Sequence, residues 1–155
     1  MGSAFMAEAI SLANQGMSDG LGGPFGAVVV REGKVIGRAC NAVVSLNDPT
    51  AHAEIQAIRM ACGRLNRFYL EDCALYCSCE PCPMCLGAAY WARLDRIYYA
   101  ASREDAAGIG FADAAIYDEL CLEPSRRQIP MIQLMRDEVL EVFQRWVKKP
   151  DRILY

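Results

Sequence analysis

The chain holds a single histidine, His52, in the run Pro49-Thr50-Ala51-His52-Ala53-Glu54. About thirty residues later stands Glu80-Pro81-Cys82-Pro83-Met84-Cys85. An imidazole, a carboxylate two residues beyond it and a Cys-x-x-Cys pair are the parts of a zinc site. Cys82 and Cys85 are spaced i and i+3, so on a helix they share one face. At a helix N-terminus the free amides and the dipole favour their thiolate forms. His52 as a neutral imidazole completes a one-His, two-Cys set suited to zinc. Three protein ligands leave a fourth position for water, and Glu54 is then free to move protons during a hydrolysis. Glu54 as a fourth ligand would instead close a structural site, and Cys79 stands near enough to the turn to be an alternate ligand.

The elements that must position these groups are legible in the apolar spacing. A helix is predicted over Ser3–Gln15, followed by the breaker cluster Gly20-Leu21-Gly22-Gly23-Pro24. Phe25–Val30 and Val35–Cys40 read as strands joined by a turn at Arg31–Lys34. Asn47–Thr50 reads as a turn into a helix over Ala51–Cys62, with Gly63 as its stop. Ala74–Ser78 is strand-like, and a second central helix runs to Arg93 with Pro81 at its first position. A strand at Arg96–Ala101, a helix at Asp113–Leu120, a strand at Met131–Leu134 and a helix at Asp137–Val147 complete the chain. Strands alternating with helices predict an α/β layered sheet with parallel crossovers.

A chain of 155 residues, 54% hydrophobic and 23% charged, suits one globular domain. No apolar run approaches the roughly 18 residues of a membrane span, and no secretory signal is apparent, so a cytoplasmic location is expected. The remaining cysteines, Cys40, Cys62, Cys73, Cys77 and Cys121, then read as reduced thiols rather than disulfides. The net charge of −3 leans against a nucleic-acid partner, and without an apolar span no membrane partner is expected. Arg145, Lys148, Lys149 and Arg152 form the one basic cluster, read as a solvated helix end.

His52-Ala53-Glu54 with Pro81-Cys82-Pro83-Met84-Cys85 resembles the zinc-dependent deaminases of the cytidine deaminase-like superfamily. Further stretches, Gly22 to Val28, Asn47 to Ile55, Ser78 to Gly87, Tyr90 to Arg93 and Gly110 to Tyr117, resemble the bacterial guanine deaminases within it. The resemblance implies a three-layer α/β/α sandwich with a central five-stranded mixed sheet and one zinc per chain. It implies hydrolysis of guanine to xanthine and ammonia, with His52, Cys82 and Cys85 as ligands and Glu54 as proton shuttle. It also implies that Asn41 hydrogen-bonds the base, Phe25 and Trp91 line the pocket, Asp113 reads the purine edge and Tyr155 closes the site. A homodimer is implied, with residues 136–155 as a helix and tail exchanged between subunits. Asn41 carries both a donor and an acceptor, which suits a lactam edge, and Phe111 reads as a core or loop anchor. Rival readings are a deaminase of guanosine, cytosine or an aminotriazine, a tRNA adenosine deaminase, and a non-catalytic zinc module.

Overall fold

The computed structural model describes residues 2–111 and 113–155. By internal contacts the chain divides into two units, Met1–Tyr117 and Asp118–Tyr155. In the first, helix α1 (Gly2–Ser18) leads into strands β1 (Gly26–Arg31) and β2 (Lys34–Cys40). A one-turn helix α2 (Val43–Leu46), helix α3 (Ala53–Leu65), strand β3 (Cys73–Cys79), helix α4 (Pro83–Trp91) and strand β4 (Arg96–Ala101) follow. A short helix α5 (Arg103–Gly108) comes next, then helix α6 (Asp113–Cys121), of which the first unit holds the part up to Tyr117.

The sheet order is β2-β1-β3-β4. β1 runs antiparallel to both β2 and β3, whereas β3 and β4 are parallel. Alternation along β1 and β3 sends side chains to opposite faces. Val28, Val30 and Tyr76 meet Phe5, Met6 and Leu12 of α1. Ala27, Val29, Leu75 and Cys77 meet Ala53, Ala57, Ile58 and Ala61 of α3. Both faces of β1 are thus covered, which accounts for its unbroken valines. The result is the expected α/β/α layering. Beside α1, the ring of Tyr98 stacks on Tyr76 with centroids 4.5 Å apart.

Several boundaries differ from expectation. Gly63 does not stop α3, which continues to Leu65 and ends on Asn66 in the left-handed conformation. Asparagine tolerates that conformation, and its amide closes onto the Cys62 and Gly63 carbonyls. Pro83, not Pro81, holds the first position of α4, so Cys82 becomes its N-cap. The sheet has four strands among the described residues rather than five. Met131–Leu134 joins no strand, and without a neighbouring ladder its backbone cannot be held in a sheet.

The second unit contains a 3-10 turn at Pro124–Arg126 and helix α7 (Arg136–Lys148). Within it, the Arg127 guanidinium donates to the Leu122 carbonyl at 3.2 Å, and the Gln128 amide donates to the Glu119 carboxylate at 2.8 Å. Val139, Val142, Phe143, Trp146 and Val147 recur at helical spacing on α7, and all are exposed in the single chain. No helix of the described residues is long and apolar enough to cross a membrane.

Candidate metal centre and substrate cavity

His52 is the N-cap of α3, and Cys82 is the N-cap of α4. Neither side chain caps its own helix by a hydrogen bond. Both are therefore available to a ligand where the two helix starts converge. Cys85, at the third position of α4, completes the group. His52 Nδ1 lies 3.6 Å from Cys82 Sγ and 3.6 Å from Cys85 Sγ. All three donor atoms fall within 4.8 Å of one another. Tetrahedral zinc, with bonds of about 2.3 Å to sulfur and about 2.1 Å to nitrogen, separates such atoms by about 3.6 Å. The donor set and its spacing fit zinc.

Charge supports the same reading. The Cys82 thiol is held well below its usual range, first by its hydrogen bond with the Cys85 thiol and then, against burial, by His52. Cys85 is driven upward by that bond to Cys82 and by burial, so without a metal one proton stays with the pair. A divalent cation displaces it. His52 is raised, chiefly by its hydrogen bond with Cys82. Cys79 is not part of the group: its thiol donates to the Ser102 carbonyl at 3.5 Å, and burial pushes it up to about 11.

Glu54 stands at the second position of α3, 6% exposed, and burial foremost raises its carboxyl from 4.5 to about 7. A carboxyl that titrates near neutrality can take a proton and return it. It faces a cavity of about 450 Å³, which His52, Cys82, Asn41, Phe25, Phe111 and Asp113 also line. That volume lies within the roughly 300–1,000 Å³ of small-molecule sites.

The walls come from distant parts of the chain. Asn41 follows β2 and is 4% exposed. Its Oδ1 accepts from the amides of Gly23 at 3.3 Å and Val43 at 3.2 Å. With the oxygen so engaged, the NH2 group is what Asn41 can offer a ligand, correcting the expectation that donor and acceptor would both be presented. Gly22 permits this approach, because a Cβ there would lie 2.1 Å from Asn41 Oδ1. Phe25 and Phe111 pack edge to face, with centroids 4.7 Å apart. Phe111 is therefore a cavity wall as well as a loop anchor. Asp113 opens α6, and burial foremost raises its carboxyl, followed by the nearby Cys82.

Trp91 ends α4, 67% exposed, and does not line the cavity of its own chain. Phe111 supplies the aromatic wall expected of it. Tyr155 belongs to the second unit and is 70% exposed there. Gly22, Gly23, Cys79 and Glu80 also border the cavity. Their signal in the sequence is proximity to Phe25 and to the Cys-x-x-Cys turn.

Residues 2–101 match the cytidine and deoxycytidylate deaminase zinc-binding region. The guanine deaminase of Bacillus subtilis (strain 168) is 51% identical over 142 residues, spanning 92% of this chain and 91% of its own. An X-ray structure of guanine deaminase from Bacillus subtilis superposes with a TM-score of 0.95 at 48% identity, over 99% of this chain and 98% of its own. The tRNA-specific adenosine deaminase of Aquifex aeolicus is 46% identical over 86 residues, covering 56% of this chain and 57% of its own.

Proposed function

The chain belongs to the family of the cytidine and deoxycytidylate deaminase zinc-binding region, and from that premise we propose that it hydrolyses guanine to xanthine and ammonia. The observation that carries this reading is a donor and an acceptor flanking one cavity: Asn41 offers N–H groups, Asp113 offers a carboxylate. Guanine carries acceptors at its carbonyl oxygen and imidazole nitrogen and N–H donors around its amine-bearing carbon. The likeness to the Bacillus subtilis enzyme holds at 51% identity over nine-tenths of both chains, whereas the tRNA-specific adenosine deaminases match either over about half of each chain or, over four-fifths, at 34% identity.

His52, Cys82 and Cys85 would hold the zinc, which when bound polarises water for attack at the ring carbon bearing the amine. Asn41 donates to a purine acceptor, and Asp113 accepts from N–H groups on the facing edge. Phe25 and Phe111 lie against the apolar surface of the base. Glu54 takes a proton from the attacking water and delivers protons to the ring nitrogen and the departing amine. Guanine and one water thus become xanthine and one ammonia, with Glu54 restored.

We place the working enzyme in the cytoplasm as a homodimer in which residues 136–155 exchange. The exposed apolar stripe of α7 supports such a partner, and Tyr155 would then complete the partner's cavity. Guanine, guanosine, cytosine and tRNA are the panel that tests the substrate. Zinc-loaded enzyme is expected to release ammonia from guanine, and Glu54→Ala to abolish this while one zinc per chain remains. Turnover of cytosine or tRNA adenosine with none of guanine would replace the reading.

A further inference from the structure

No residue of α6 is buried, so apolar packing does not fix the start of this helix. Polar contacts hold it instead. Tyr117 lies one turn beyond Asp113, on the same face of α6. Its hydroxyl donates to the carbonyl of Pro81, the residue before Cys82, at 2.8 Å. From the other side the Arg103 guanidinium lies over the Tyr117 ring, 4.8 Å from its centroid. The Arg103 amide donates to the Glu80 carboxylate at 3.1 Å, and the Glu80 amide donates to the Ala101 carbonyl at 2.8 Å. Ala101 is the last residue of β4. The Tyr117 ring is thus clamped between two segments tied to the end of the sheet.

We propose that Tyr117 is a positioning residue for Asp113, fixing through Pro81 where the substrate-facing carboxylate stands. This rests on the reading of Asp113 given above. Loss of the hydroxyl leaves the Arg103 stack but frees α6 from the turn that carries Cys82. A carboxylate displaced by about 1 Å loses its alignment with a bound base. The effect belongs to binding rather than to the metal, because Tyr117 reaches a backbone carbonyl and not a ligand atom.

Steady-state kinetics on guanine with zinc-loaded wild type, Tyr117→Phe, Asp113→Ala and the double variant test it. Tyr117→Phe is expected to raise KM roughly fivefold to tenfold, with kcat changed by less than about twofold and zinc content and Tm preserved. In the Asp113→Ala background the same substitution should alter kcat/KM by less than about twofold. Arg103→Leu, which removes the guanidinium over the ring, should raise KM in the same direction. An equal loss in both backgrounds, or an unchanged KM in Tyr117→Phe, overturns the proposal while the guanine reading stands. A wild type inactive on guanine removes both.

Discussion

The side-chain oxygen of Asn41 accepts the Gly23 amide at 3.3 Å and is thereby turned away from the cavity's polar partners. With Val43 on the same oxygen, the NH2 group is what Asn41 has left to offer a ligand. Asn41→Asp keeps an oxygen for both amides but replaces the donor with a second acceptor. It is expected to lower kcat/KM for guanine about 10- to 100-fold, as for a lost hydrogen bond of about 1.5–3 kcal/mol. Zinc content should hold. Activity within about threefold of wild type would show that the donor is not used.

Gly23 sits under the aromatic pair. A Cβ there would lie 2.9 Å from Phe111 Cζ and 3.0 Å from Phe25 Cε2. Gly23→Ala must push the rings toward the cavity or apart. KM for guanine should rise, roughly tenfold for a displaced wall, with the metal retained. An unchanged KM would mean that the rings do not touch the base.

Metal stoichiometry separates the neighbouring cysteines. Cys85→Ala and His52→Ala should purify with little zinc and no activity, because each removes one of three ligands. Cys79→Ala should keep one zinc per chain, since its thiol is turned to the Ser102 carbonyl. Zinc loss in Cys79→Ala would place that thiol in the ligand set.

Glu54 links pH to stability in the metal-free protein. Burial foremost raises its carboxyl from 4.5 to about 7, so the folded state keeps the proton to higher pH than the unfolded chain does. The stability tied to this group is intact below the unfolded value of 4.5 and lost as pH rises through about 7. The full change is about 3 kcal/mol. Chelator-treated Glu54→Gln should gain on chelator-treated wild type as pH rises from 5 to 8 in urea unfolding. A difference that does not vary with pH would argue against a carboxylate buried this way.

Much of the fold was legible because its signals are local. The valines of β1 and the helical spacing in α1, α3 and α7 follow from short-range alternation and periodicity. Gly63 misled because a glycine stop is only one way to end a helix, and Asn66 supplied another. Met131–Leu134 misled because strand-like composition does not make a strand without a neighbour to pair with. Trp91 entered the cavity list by resemblance, while the described chain puts Phe111 there.

By itself the sequence determined the candidate donors and the chemistry they suit, a zinc site with Glu54 beside it, while Cys79 and Glu54 stayed open as further ligands. His52, Cys82, Cys85 and Glu54 all lie at helix starts, and it is the fold that brings those starts together and turns Cys79 away to the Ser102 carbonyl. Only the tertiary structure decided which atoms line the cavity. The orientation of Asn41 depends on Gly23, 18 residues away, and the anchoring of α6 depends on Pro81, 36 residues from Tyr117. Such contacts form between segments that meet only once the sheet is folded, so no local pattern records them.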